Sequence, residues 1–195
     1  MKVYLIRHGE TAGNALGQYI GSTDEPLSGN GRAQASRVPP DTSVKTVYVT
    51  PLRRTQQTAA LLFPDAEQTV VPDLREMDFG AFERRSYKDM EHDADYRAWV
   101  ESGCTLPCPG GEDMAGFASR IGKAFIKVLE ANAGKDTLTF LVHGGTVMAV
   151  FSLFAEEQRK YYEWNVRNLE GWAADAERTP DGSWRLVGIQ KIQRQ

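Results

Sequence analysis

Cysteine is nearly absent from this chain. Cys104 and Cys108 are the only two in 195 residues, spaced C-x₃-C within GCTLPCP. A structural zinc needs four ligands, and neither another cysteine nor a nearby histidine completes the set. Two reduced loop thiols and no metal are therefore expected. Long apolar runs are missing as well, since none approaches the roughly 18 residues that a membrane span requires. The chain enters its first apolar segment within three residues, with no basic-then-apolar leader. A cytoplasmic protein without membrane attachment is the expectation. Positive charge is not in excess: 23 Lys and Arg face 26 Asp and Glu, for a formal net charge of −3. That balance argues against broad nucleic-acid binding but leaves room for a local basic pocket. No linker divides the chain, so one domain over residues 1–195 is expected, long enough to bury a sizeable core without staples. Nothing in these features bears on the oligomeric state.

What the chain does contain is an organising stretch at its start, VYLIRHGET, from Val3 to Thr11. Val3, Tyr4, Leu5 and Ile6 form a β-branched and aromatic run without polar alternation, which reads as a strand buried on both faces of a sheet. Its first charges are Arg7 and His8, and Gly9 follows. Both side chains are therefore expected at the carboxyl edge of the sheet, where open α/β sheets bind ligands. The same arrangement returns late in the chain, where LTFLVHGG carries an apolar strand into His143 and two glycines. Two of the three histidines thus sit at strand ends. The third, His92, lies in the polar stretch KDMEHDADY and reads as part of a solvated face.

These motifs together resemble the histidine phosphatase superfamily, also called phosphoglycerate mutase-like, whose marks are LxRHGxT near the amino terminus and a second histidine in a late HGG. The similarity runs along nearly the whole chain. TPLRRTQQTA resembles the family's SPLxRAxQTA, LREMDFGAFE its LxExxFGxWEG, and PGGED the PGGES that opens a later helix. The resemblance implies an α/β fold, a three-layer α/β/α sandwich on a mainly parallel sheet.

Between the motifs, residues 12–31 are rich in Gly, Asn, Thr, Asp and Pro and read as a long loop over the strand edge. Asn14 and Thr23 match family positions that contact the phosphate. Ser28 is a plausible cap for a helix from Arg32 to Val38, which Pro39 and Pro40 stop. Val44 to Val49 reads as the second parallel strand. The helix that follows turns Ala59, Leu62 and Phe63 to the sheet and carries Arg54 at its amino end, and the family pattern selects Arg54 over Arg53 as the phosphate-binding arginine. Thr69 to Val71 is a short strand. Glu76 then sits in a loop among apolar neighbours, an environment that raises a carboxyl pKa and suits a proton donor. Where the family has WEG, this chain has Phe82-Glu83-Arg84, a departure that bears on the lid behind Glu76. Residues 86–101 read as an amphipathic helix with Tyr87, Met90, Tyr96 and Trp99 on its apolar side, and 84–112 as a lid segment. A long helix is expected from about Glu112 to Asn132, ended by Gly134. Leu138 to Val142 forms the strand that delivers His143. Gly144 and Gly145 open a further helix whose amino end favours anions. The last quarter reads as a short aromatic helix and two antiparallel strands around Thr179 to Ser183, without a chemical motif. Asn168 is a loose match to a family asparagine.

Two histidines, two arginines and a carboxylate can hold a metal or an anion. Two guanidiniums that stay protonated repel a cation, whereas a phosphoryl group gains bidentate hydrogen bonds from each. With no P-loop and no acidic cluster for magnesium, the nucleophile has to come from the protein. The resemblance implies that His8 attacks phosphorus, that Arg7, Arg54 and His143 neutralise the phosphoryl oxygens, that Glu76 acts as acid and then base, and that Asn14, Thr23 and Gly144 help to bind substrate. No cofactor is implied. The pattern and size are most similar to the α-ribazole phosphatase and broad-specificity branch, so the implied partner is a small phosphorylated metabolite, with α-ribazole 5'-phosphate one candidate. Three alternatives stand beside hydrolysis. A mutase carries a longer insertion between acid and second histidine than the segment from Glu76 to His143 provides. A phosphohistidine or phosphoprotein phosphatase would want an open site. A phosphate-binding module without turnover would not need every catalytic position filled.

Overall fold

The computed structural model describes residues 1–193. Six strands form one mixed sheet: β1 (Lys2–Arg7), β2 (Thr46–Val49), β3 (Glu67–Val70), β4 (Thr137–Val142), β5 (Gly171–Arg178) and β6 (Trp184–Ile192), in the order β3-β2-β4-β1-β5-β6. The first four in that order run parallel, and β5 pairs antiparallel with both β1 and β6. Alternation along the central strands feeds two cores. Val3 and Leu5 of β1 and Leu138, Phe140 and Val142 of β4 face one helical layer, while Ile6 and Leu141 face the other. On the first side lie α5 (Met114–Ala131) and α6 (Gly144–Phe154), and on the second α2 (Gly29–Arg37) and α3 (Arg53–Leu62). The result is the three-layer α/β/α sandwich expected from the sequence.

The periodic segments fall where hydrophobic pattern and capping place them. Ser28 caps α2 by accepting the Gly31 amide, and Asp113 caps α5 by accepting that of Gly116. On α5, Phe117, Ile121, Phe125, Val128 and Leu129 are all buried, so one continuous stripe packs on the sheet. That helix ends at Ala131 with Asn132 as its cap, two residues ahead of Gly134, because the Asn132 side chain itself satisfies the Val128 carbonyl at 2.7 Å. β3 begins two residues earlier than its apolar residues indicate, in register with β2 from Thr46 opposite Glu67.

Two stretches depart from the expectation. Residues 12–31 are not all loop, because Thr11 and Asn14 form a reciprocal capping box around a short helix, α1 (Ala12–Ala15). Residues 86–101 are helical only in α4 (Ala94–Glu101), where Asp93 accepts the amides of Asp95 and Tyr96 and so sets the start. Upstream, the Asp89 carboxylate takes both the amide and the hydroxyl of Ser86, holding a turn instead of a helix, and Tyr87 points to solvent. Among the described residues, no helix is long and apolar enough to cross a membrane.

Candidate active site

Parallel pairing of β1 with β4 sets the centre of the site. Arg7 lies opposite Val142, so the next residue on each strand, His8 and His143, leaves the sheet at the same edge. The His8 amide donates to the Val142 carbonyl at 3.0 Å, and the two imidazole rings stand 5.2 Å apart at 66°. Both histidines are buried, whereas His92 is exposed beside Glu91.

The two rings are held in different protonation patterns. His8 Nδ1 lies 2.6 Å from the Gly9 carbonyl. A carbonyl only accepts, so Nδ1 carries the hydrogen and Nε2 keeps its lone pair. Gly9 is itself fixed, its amide donating to Thr58 Oγ1 on α3. Burial, then the charges of Arg54 and Arg7, holds the His8 pKa well below the ordinary 6.5. His143 is also held well below that value, by burial first and by Arg54, His8 and Arg7 after it. Its Nδ1 accepts from Arg54 Nε at 3.3 Å, which puts the hydrogen of the neutral ring on Nε2, donated to Thr50 Oγ1 at 2.9 Å. The two neutral tautomers are thus opposite.

The two arginines are also used differently. Arg54, fully buried near the amino end of α3, donates to the carbonyls of Thr23 (2.7 Å), Gly21 (2.8 Å) and Ile20 (3.4 Å). Arg53, one residue earlier, lies at the surface and pairs with Asp24. Arg7 gives one bond, from Nη1 to the Val166 carbonyl at 2.9 Å, and its Nε is buried with no hydrogen-bond partner among the described residues. Burial lowers both guanidinium pKa values and the Glu76 charge opposes it, but each group stays a cation. A desolvated guanidinium with an unused donor is costly unless an anion completes it.

Glu76 stands on the other side of the cleft. Its carboxylate accepts the amides of Gly145 (2.9 Å) and Met77 (3.0 Å). Burial raises its pKa, and the two amides with Arg54 and Arg7 only partly counter that. The Gly145 amide at the start of α6 is therefore committed to Glu76, and Gly145 has no room for a side chain, since a Cβ would fall 2.2 Å from Glu76 Oε1. Gly144 lies against Arg7 instead. Arg120 on α5 braces the segment from behind: it is paired with Glu112 at 2.6 Å and donates to the carbonyls of Asp73, Arg75 and Glu76.

Arg7, Glu76, Gly144 and Asn14 open onto a cleft of about 280 Å³. Asn14 also accepts from the Thr11 amide and from Asn168 Nδ2. Thr23 does not reach it: its hydroxyl is given to Glu83 at 2.6 Å, and its link to the site is the carbonyl that holds Arg54. Glu10 is turned away too, accepting from Ser28 and Asn30. Several contributors carry no sequence motif. Tyr161 and Asn165, around a short 3₁₀ turn (Tyr161–Trp164), line the cleft, and the Tyr161 hydroxyl donates to the Gly145 carbonyl at 3.3 Å. Asn168 Nδ2 donates to the His8 carbonyl at 2.9 Å. The final quarter thus builds one wall of the site, and only its aromatic density and the loose match of Asn168 to a family asparagine hinted at this.

At the Phe82-Glu83-Arg84 departure, Arg84 adopts φ 61°, the left-handed region that glycine enters freely and other residues at a cost of about 1–2 kcal/mol. The backbone keeps the glycine-type turn although the glycine is gone. Cys104 lines the cleft and Cys108 is buried, its thiol pushed up to about 11 by burial, and neither is in a disulfide. No group of three or more His, Cys, Asp or Glu among the described residues could hold a metal ion.

Comparison with known proteins agrees with this geometry. The chain is 34% identical over 201 residues to the adenosylcobalamin/α-ribazole phosphatase of Escherichia coli, covering 98% of this chain and 91% of that protein. It is 32% identical over 154 residues to the Salmonella typhimurium protein of the same name, covering 75% and 76%. In three dimensions it resembles the α-ribazole phosphatase from Shigella flexneri with a TM-score of 0.81 at 25% identity, covering 100% of this chain and 96% of that one. The model of the histidine phosphatase superfamily, branch 1, matches residues 3–183. A match over so much of the chain, on a fold that joins His8, His143, Arg7 and Glu76 at one sheet edge, means that this phosphatase belongs to the histidine phosphatase superfamily.

Proposed function

We propose that the chain hydrolyses small phosphomonoesters through a phosphohistidine on His8. The observation that carries this reading is the pairing of His8 with Arg7. The Nδ1 hydrogen of His8 is spent on Gly9, its ring is kept neutral by burial and two arginines, and Arg7 beside it has an unused buried donor. A neutral imidazole with a lone pair on Nε2 is a nucleophile, and an unmatched guanidinium calls for an anion.

In this mechanism Nε2 of His8 attacks phosphorus as the ester P–O bond breaks, and Glu76 in its acid form protonates the departing oxygen. Arg7 and Arg54 neutralise the phosphoryl oxygens. His143 adds its Nε2 hydrogen by exchanging Thr50 for phosphate. Glu76, now a carboxylate, takes a proton from water as that water attacks phosphorus and frees His8. Residues 84–112 serve as the lid. Trp99 from that segment, with Tyr19, Phe79, Phe117 and Tyr161, gives the cleft an aromatic lining, which the Cys104 thiol adjoins. Such a lining suits a phosphorylated metabolite with a flat ring, and α-ribazole 5'-phosphate is the candidate offered by the relatives' names.

The decisive experiment is chemical trapping. Brief incubation with a ³²P-labelled phosphomonoester followed by quenching should leave acid-labile label on His8, and His8→Ala should lose turnover while keeping the wild-type circular dichroism. A folded His8→Ala enzyme with near wild-type kcat would overturn the covalent mechanism.

A further inference from the structure

The loop from Ile20 to Thr23 lies between a cation and an anion. Its carbonyl side is taken by Arg54, whose bonds to the Gly21 and Thr23 carbonyls are the shortest. Its amide side is taken by one carboxylate, that of Glu83. Gly21 N–H donates to both Glu83 oxygens at 3.0 and 3.1 Å, Ser22 N–H at 2.9 Å, Thr23 N–H at 3.2 Å and the Thr23 hydroxyl at 2.6 Å. Glu83 also accepts the Phe79 amide at 3.1 Å, which ties the same carboxylate to the segment carrying Glu76. Positive charge at the carbonyl ends and negative charge at the amide ends polarise these peptides in one direction, so each hydrogen bond strengthens the others. The loop is packed to contact as well: a Cβ on Gly21 would fall 1.8 Å from the Met77 carbonyl.

Both Glu83 oxygens are taken up by the loop and the Phe79 amide, so Glu83 acts through the groups it holds and not on the reacting atoms. We propose that Glu83 is a positioning residue for the phosphate site: it holds the Ile20–Thr23 loop, whose carbonyls aim Arg54, and through Arg54 Nε it sets the tautomer of His143. The inference rests on the phosphoryl-transfer reading above, because that reading gives Arg54 and His143 a ligand to meet. The remaining link is the 3.3 Å bond from Arg54 Nε to His143 Nδ1. If the guanidinium swings away, Nδ1 loses its donor, and the Thr50 hydroxyl at Nε2, which can donate as well as accept, does not fix the tautomer alone.

Glu83→Gln keeps the side-chain shape but removes the charge and puts an NH₂ among the loop amides. It is expected to melt within roughly 5 °C of the wild type, while kcat/KM falls about 10- to 100-fold through misplacement of the binding groups. Binding of inorganic phosphate, followed by ³¹P NMR without turnover, should weaken in parallel. The ¹⁵N signals of His143 should move from a single Nε2–H tautomer towards a mixture, and Glu83→Asp should recover part of each loss. Wild-type phosphate affinity and wild-type imidazole signals in folded Glu83→Gln would overturn the proposal, as would an activity loss fully accounted for by unfolded protein. Should Glu83→Gln fail to fold, Thr23→Val deletes only the hydroxyl bond and is expected to weaken phosphate binding by a few-fold, about the worth of one hydrogen bond; unchanged binding would again overturn it. A wild type that binds phosphate but never forms phosphohistidine would sink the covalent mechanism and leave the phosphate titration to decide this inference. A wild type that does not bind phosphate would sink both.

Discussion

Glu76 is caught between burial, which favours its protonated form, and two backbone amides, which favour the carboxylate. A group so balanced can release and recover a proton within one cycle. General acid catalysis is worth about 10²- to 10⁴-fold, most when the departing oxygen is strongly basic. Glu76→Gln should therefore slow phosphorylation of the enzyme severely with an alkyl phosphate and much less with p-nitrophenyl phosphate, as rapid-quench measurement of the phosphorylation step will read. Equal losses with both would reduce Glu76 to an orienting role. At this scale the sequence revealed residues that close a hydrophobic run, because an apolar strand has to end and its first charges emerge at the sheet edge. Arg7, His8 and His143 are legible for that reason. Thr23 is the opposite case: its loop position says nothing about which way the hydroxyl turns, and the Glu83 carboxylate that captures it lies far along the chain. Asn165 and Tyr161 were hidden because the 3₁₀ turn that directs them is defined by tertiary contacts, not by periodicity.

Helix α5 does more than cover the sheet. Its Arg120 is largely shielded, forks onto Glu112 and reaches the carbonyls of Asp73, Arg75 and Glu76, so one helix position governs the height of the acid over the cleft. Arg120→Ala strands the Glu112 carboxylate and those carbonyls, and unsatisfied polar groups cost about 1–3 kcal/mol each when buried. Partial exposure puts the expected loss at the low end, about 1–2 kcal/mol in chemical denaturation. With Glu76 loosened, kcat should fall about 10-fold while KM changes little, since Arg7 and Arg54 remain in place; a KM effect without a kcat effect would show that Arg120 has no hold on the acid. The elements that were legible are those with a continuous stripe, such as α5, or a continuous apolar run, such as β1 and β4. The failures share one cause. In residues 86–101 the aromatic spacing mimics a helix, but Asp89 and Asp93 offer the backbone side-chain hydrogen bonds that start a turn in one place and a new helix in another. In α1 the same competition works in reverse, and a capping box extracts one turn of helix from a loop-like composition.

For the whole molecule, two neutral histidines buried beside two guanidiniums tie stability to pH. Each has a folded pKa below its unfolded value near 6.5, so as pH falls below that value the unfolded chain takes up protons that the folded protein refuses, and stability drops until the folded values are passed. Glu76 has the opposite sign: its folded value is raised, so its contribution is greatest below its ordinary 4.5 and is lost as pH rises through the folded value. In the window between about pH 6.5 and 5 the histidines dominate, and the melting temperature is expected to fall on acidification, less steeply in His143→Ala than in the wild type. A flat profile would mean that neither ring is held neutral. The charge pattern also sets the response to chelators: two fixed cations fill the place that a metal would occupy in other phosphatases, so EDTA should leave kcat/KM unchanged, and inhibition reversed by Mg²⁺ or Zn²⁺ would contradict an anion site built from arginine. The strand order has a consequence for biosynthesis. β1 is made before both of its neighbours, β4 and β5, which begin only at Thr137 and Gly171, and Arg7 waits for the Val166 carbonyl. At about 5–20 residues per second, a ribosome needs roughly 10–30 s to bridge that interval. Until β4 is made, the apolar run from Val3 to Ile6 has neither edge covered, and one edge stays open until the last quarter emerges, so the nascent chain depends on whatever shelters that run.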